Sequence, residues 1–258
     1  IDPARPVTLL AVGDVQAAVS HVRHELFNEQ AVRVGLDDSA WLAANVLAHQ
    51  HVLDALLATG QPVIPMRFCT VYPDSDALAA SLERHNGAFA AELQRLAGKQ
   101  EWGLKMVVDI QLLQTAIGAG HPTLAGVAGD GEIERLRKQI AGMSAGAAFL
   151  LKKKLVNLIA ERAQSVAFGI ADATYRALAD VALEAVTMDL PKDRPEVCLN
   201  AAFWLAVEAY QPFVARLEML AQSFSGVGVR YELSGPWPAH HFLRLALDPM
   251  QATAEASA

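Results

Sequence analysis

Residues 62–72 read PVIPMRFCTVY: two prolines bracket a hydrophobic pair, and an arginine and a cysteine follow inside an apolar run. As a buried strand, this segment makes the N-terminal half of the chain a sheet domain. As a catalytic strand, it offers Arg67 to hold a substrate and Cys69 to attack it, since side chains two apart share a strand face. A reactive thiolate needs an electropositive, partly exposed setting, whereas cysteine in an apolar strand behaves as a small inert hydrophobe. We therefore read 62–72 as a core strand, with Cys69 buried and dispensable. Arg67 is then expected in an ion pair with Glu101 or Asp109 on a neighbouring strand.

Upstream, VTLLAV (7–12), a Gly13-Asp14 turn signal and VQAAVS (15–20) predict two short strands joined by a tight turn. Asp37, Asp38 and Ser39 offer caps for a helix in which Leu42, Val46, His49, Leu53 and Leu56 keep helical spacing up to Gly60. Downstream, Asp74 or Ser75 caps a second helix with Leu78, Leu82, Phe89, Leu93 and Leu96 in one stripe. Gly98 closes it, and EWGLKMVVDI supplies another strand. The order β-β-α-β-α-β predicts one sheet with helices on a face, of the ferredoxin-like kind.

GAGHPTLAGVAGDG (118–131) is rich in glycine and lacks periodicity, and reads as a linker. Residues 132–186 lack proline and consist mostly of good helix formers. A straight helix over 141–186 would run about 70 Å, so Gly146 or Gly169 marks a kink, or part of it projects. CLNAAFWLAV reads as a strand buried on both faces. Phe213, Leu217, Leu220 and Phe224 make a helical stripe, and Val227, Val229, Tyr231 and Leu233 alternate as a strand. SGPWP (234–238) reads as a strand terminus, with Trp237 packed inside. The predicted fold class is α+β, two domains with ferredoxin-like features, the second containing a long helix. The predicted boundaries are 1–117 for the first domain, 118–131 for the linker, 132–248 for the second domain and 249–258 for a disordered tail.

The chain has 258 residues, 53% of them hydrophobic, and a net charge of −7. That length supports one large or two small cores, and the acidic balance argues against nucleic-acid binding, which rests on lysines and arginines meeting phosphates. Two cysteines 129 positions apart form neither a disulfide framework nor a zinc set. No apolar run approaches the roughly 20 residues of a membrane helix. The start, IDPARPVTLL, has no initiator Met and no signal-peptide architecture and reads as trimmed. These features predict a cytoplasmic protein without cofactor or metal.

Motifs for chemistry are sparse. His49 and His51 lie two apart and diverge by about 200° on a helix, whereas a metal pair needs i, i+4 spacing. His240 and His241, being adjacent, also diverge. There is no GxSxG, no GxxxxGK[ST] and no CxxC. Charge is more informative. Between Glu132 and Arg162, Arg135, Arg137, Lys138, Lys152, Lys153, Lys154 and Arg162 face three acids, a local +4 that leaves −11 for the rest. Such a cluster is a solvated helix face or a docking surface for an acidic partner. An apolar face of Phe149, Leu151, Leu155 and Leu158 accompanies it, and Arg135, Lys138 and Lys152–Lys154 are the candidate partner-binding residues. Arg67, Glu101 and Trp237 are the candidate structural ones.

AHQHVLDALLATGQPVIPMRFCTVY, with LAGKQEWGLKMVVD after a helix, resembles the gas vesicle protein F/L family, whose members carry a PVLPLRFGTVF-like segment. MSAGAAFLLKKK is similar to that family's SxGxAYLxxK segment, and LNAAFWLAV and ELSGPWPAHHF match its NxAFLV and LTGPWPPYSF motifs. Cys69 stands where the family usually has glycine, so the thiol is no family-wide nucleophile. The family's YxYG-like first strand is not found ahead of Ile1. The resemblance implies a non-enzymatic accessory protein of gas vesicle assembly, located with the vesicle. Its implied partners are the small hydrophobic shell protein, whose aggregation it limits, and other accessory proteins. The alternatives to carry forward are a small-molecule-binding regulator of ferredoxin-like fold and a Cys/His-dependent enzyme.

Overall fold

The structure, a computed structural model, describes residues 5–124 and 131–245, apart from the side chains of 145–147. Part of the expected linker (125–130) and the expected tail lie outside these residues. The chain forms α+β structure in two compact units, one of 1–100 with 237–258 and one of 101–236.

In the first unit, β1 (Thr8–Val12) and β2 (Val15–Val19) pair antiparallel from Thr8 opposite Val19 to Val12 opposite Val15. Gly13, at φ +56°, makes the turn, and a Cβ there would meet the Asn86 amide at 2.6 Å. Asn86 lies on α4 (Ser75–Leu96) and donates to the Val12 carbonyl at 2.8 Å, fastening the hairpin to that helix. Sequence reading passed over two short helices, α1 (His24–Phe27) and α2 (Glu29–Asp37). Asn28 caps α2 through the Ala31 N–H, and Asp38 caps α3 (Ser39–Leu57) through the N–H groups of Ala40 and Trp41. These side chains accept from backbone donors that a helix start cannot satisfy internally. The Trp41 indole lies over buried Gly35, where a Cβ would come within 2.6 Å of the ring.

The 62–72 segment is not a strand. It runs as irregular extended chain with a turn at Arg67–Thr70, where the Arg67 carbonyl accepts from both the N–H and the Oγ1 of Thr70. Pro62 and Pro65 have no N–H to give a ladder, and Cys69 sits at φ +63°. That left-handed conformation breaks strand pairing and costs an L-residue with a Cβ about 1–2 kcal/mol. It also gives a physical reason for the glycine that the resembling segments carry there. The described sheet of this unit is therefore a two-stranded hairpin, not the larger ferredoxin-like sheet expected.

That arrangement belongs to the second unit. A four-stranded sheet has the order β4-β5-β3-β6, built from β3 (Lys99–Val108), β4 (Glu184–Thr187), β5 (Val197–Ala206) and β6 (Val229–Trp237). β4 and β5 are antiparallel, Glu184 facing Trp204. The Val108 N–H donates to the Glu196 carbonyl and the Asp109 N–H to that of Gly228, so β3 ends where β5 and β6 begin. With helices between β3 and β4 and between β5 and β6, this is split β-α-β connectivity. EWGLKMVVDI is thus a strand as expected, but its partners are β5 and β6.

Between β3 and β4 run α5 (Ile110–Ala119), α6 (Gly131–Ala141) and α7 (Ala145–Ala179). α8 (Tyr210–Ser223) follows β5. The 35 residues of α7 span about 52 Å and pass Gly169 without a break. Its inner stripe of Ile159, Ala163, Val166, Ala167, Ile170 and Leu178 joins Leu104 and Met106 of β3, Phe203 and Leu205 of β5, and Phe213 of α8 in one core. Nearly every residue of β5 is buried on both faces, as its continuous apolar run predicts. Thr174, fully buried, shares a 3.0 Å hydrogen bond with the Tyr231 hydroxyl.

Within the first unit, residues 242–244 return to α4. Arg95 donates to both carboxylate oxygens of buried Glu92, at 2.8 and 2.6 Å, and to the Phe242 carbonyl. The Arg244 N–H donates to the same carboxylate at 2.9 Å. Arg95 first, then the Arg244 N–H and both cationic charges, hold the Glu92 carboxyl below its usual pKa against the opposing effect of burial. A group more acidic in the folded state contributes its stability in full above the unfolded value, about 4.3. It loses that stability as pH falls through the folded value. Acid unfolding followed by circular dichroism should therefore show Glu92→Gln losing less stability than wild type below pH 4. Near neutrality Glu92→Ala should cost about 2–3 kcal/mol in urea unfolding. Identical acid profiles for wild type and Glu92→Gln would remove this carboxylate from the account.

Cys69→Gly should raise stability by about 0.5–1 kcal/mol, the relieved left-handed strain being partly offset by the greater freedom of glycine when unfolded. Cys69→Val should lower it. Urea midpoints that move the opposite way would show that position 69 does not hold the positive φ.

Candidate functional site

Arg67 is exposed, so the expected buried ion pair is not formed. The Asp109 carboxylate instead caps α5, accepting from the N–H groups of Gln111 and Leu112. Glu101 is 2% exposed in β3, and Trp237, expected to be packed, is 39% exposed at the end of β6.

Cys69 is half-buried and Cys198 buried, and burial raises both thiol pKa values, away from the thiolate. His49 is half-buried against Phe68, ring centroids 5.9 Å apart, and burial lowers its pKa while a backbone hydrogen bond to Met66 opposes this. His51 is exposed on another face of α3. Among the described residues no group of three or more His, Cys, Asp or Glu could hold a metal ion. Likewise, no described helix is long and apolar enough to cross a membrane.

An open groove of about 400 Å³ lies among α1, α2 and α3, its lining including apolar Leu26, Val34 and Trp41 and polar Glu25, Asn28, Gln30 and Asp38. Its Asp38 carboxylate is already engaged in capping α3. Asn28 likewise caps α2, so two of the four polar side chains in the lining are engaged in helix capping.

The basic cluster is divided between two helices. On α6, Arg135 donates to the Gly131 carbonyl at 2.9 Å, and Arg137 reaches the Ala119 carbonyl at 2.7 Å and Glu134 at 3.1 Å. Lys138 lies 3.8 Å from Glu134. On α7, Lys154 bonds Glu132 of α6 at 3.0 Å, tying the two helices together. Lys152 and Lys153 are exposed, and neither forms an ion pair with a described residue.

The apolar face divides as well. Leu155 and Leu158 pack against the core, and Leu151 is half-buried. Phe149 is 67% exposed, beside Leu150 at 74% and Val156 at 64%. At 100° per residue, Phe149 and Leu151 point about 200° apart, so they were never one face. Helical phase was the signal for separating them, and it adds Leu150 and Val156 to the outer surface. The site is thus an exposed apolar row, Phe149 and Val156 one heptad apart, interleaved with lysines that form no ion pair with a described residue.

Known proteins place this chain in a family. The family profile described as gas vesicle synthesis protein GvpL/GvpF matches residues 1–244. Gas vesicle protein L of a Streptomyces species (strain CB03234) is 31% identical over 97% of this chain and 88% of its own length. Gas vesicle protein F of the same strain is 26% identical over 94% and 90%. The crystal structure of the gas vesicle protein GvpF from Anabaena sp. PCC7120 superposes with a TM-score of 0.66, at 17% identity, over 95% of this chain and 91% of that one. This last likeness is one of fold. The match over nearly the whole length, with the Streptomyces identity beside it, means that the chain belongs to the gas vesicle synthesis protein GvpL/GvpF family.

Proposed function

We propose that this protein acts without catalysis in gas vesicle assembly, binding the small hydrophobic shell protein and limiting its aggregation while the shell forms. Other accessory proteins of the vesicle are its further partners. The observation that carries the reading is the basic stretch of α6 and α7, which bears Arg135, Lys138, Lys152, Lys153 and Lys154 and, on α7, leaves Phe149, Leu150 and Val156 in solvent. Apolar groups supply adhesion to a water-shunning subunit, and the cations steer encounter and set orientation. Family membership supports the vesicle context, and a half-buried Cys69, a buried Cys198 and histidine pairs that diverge favour this reading over an enzymatic one.

The test is direct. Shell protein diluted from denaturant should scatter less light when this chain is present, and a pull-down should recover both. Lys152→Glu with Lys153→Glu should reduce recovery, and recovery by wild type should fall as salt rises through the range where the Debye length shrinks below about 10 Å. Lys154 is left intact because its replacement would break the bridge to Glu132. Scattering that is unchanged, together with no recovery by wild type, would overturn the reading.

A further inference from the structure

We propose that the row at the start of α7 is a docking site for an amphipathic helix carrying acidic residues. Phe149, Leu150 and Val156 are the anchors, with Lys153 set between them and Lys152 beside them as the charged groups. This rests on the assembly reading and deepens it, naming the kind of segment in the partner that the surface holds.

The inner side of this stretch is already occupied, with Ile159 in the core and Leu155 and Leu158 packed against it. The three anchors are the outward remainder and are 64–74% exposed. Phe149, Lys153, Val156 and Ala160 follow i, i+4, i+7, i+11 spacing and so make one ridge. Phe149 and Val156, its two large apolar members, stand about 10.5 Å apart along the axis. A ridge of that pitch fits the groove between side-chain rows of another helix. It does not fit an added strand, because the backbone of α7 is internally hydrogen-bonded and presents no free edge.

Charge selects among helices. Lys152 and Lys153 are exposed and form no ion pair with a described residue, so an acidic flank gains two partners. A basic flank meets repulsion. A second copy of this chain docking row to row would bring four lysines together, which disfavours self-pairing at this place. The occupant is therefore an acidic, amphipathic helix of another protein.

Fluorescence anisotropy with three labelled peptides of about 20 residues tests this, the length being that of a helix of roughly 30 Å. One is a leucine/glutamate amphipathic helix, one a leucine/lysine helix, and one a leucine/glutamate scramble without an apolar face. The full-length chain should bind the first and discriminate against the others by about tenfold or more, equivalent to about 1.4 kcal/mol. Phe149→Ser with Val156→Ser, both on the surface, should weaken binding by a similar factor with unchanged circular dichroism. Lys152→Glu with Lys153→Glu should reverse the preference toward the lysine peptide. Equal binding of all three peptides, no binding, or affinity indifferent to the serine substitutions overturns the proposal. Shell protein held equally by wild type and both variants overturns this site but leaves the assembly reading standing. Wild type that binds the acidic peptide but not shell protein does the reverse.

Discussion

The length of α7 is the constraint on which the second unit depends. At 35 residues it runs about 52 Å, whereas a ten-residue strand such as β5 covers only about 33 Å. The sheet therefore cannot dry the whole helix. Its C-terminal two-thirds, from Ile159 to Leu178, enters the core with β3, β5 and α8. α7 packs with α5 and α6 as well, Ile159 lying against Gly118 of α5 and Lys154 bonding Glu132 of α6, while Arg137 ties α6 to the end of α5. Neither short helix wraps the outer face, so Phe149, Leu150 and Val156 stay in water. An exposed apolar row follows from a helix longer than its sheet.

Local signals in the sequence were read well. Asp38 and Asp74 cap the helices they precede, Gly98 takes positive φ after α4, and β5 is buried on both faces as its composition requires. Periodicity also located α8 and β6. What periodicity could not supply is strand partnership. β3 meets partners about ninety or more residues away in sequence, and nothing in EWGLKMVVDI records whether they lie upstream or downstream. Placing β3 with the N-terminal hairpin was the natural local choice, and it moved the ferredoxin-like sheet to the wrong half of the chain.

The misreading of PVIPMRFCTVY has a different cause. Its β-branched and aromatic residues suit a strand, yet two prolines remove donors, and position 69 demands a left-handed backbone. Composition reports what packs well against a surface; it does not report φ. A glycine at that position in resembling segments was the one available sign that the backbone turns there. Half-burial of Phe68 against Trp41 and His49 shows what the apolar residues do instead: they pin an irregular segment onto α3.

The candidate site was legible in charge and illegible in phase. Seven cations in 31 residues stand out in a chain of net −7, but which of them stay free depends on carboxylates that folding brings near. Glu132 and Glu134 engage Lys154, Arg137 and Lys138, and Arg135 bonds the Gly131 carbonyl, whereas Lys152 and Lys153 form no ion pair with a described residue. A protein that must expose apolar side chains to capture a hydrophobic partner risks sticking to itself. Setting lysines among those side chains answers that risk, since identical copies repel where an oppositely charged partner is drawn in. In the proposed docking, the same two lysines would supply both the attraction for an acidic partner and the restraint on self-association. An uncharged apolar row of equal area would have neither.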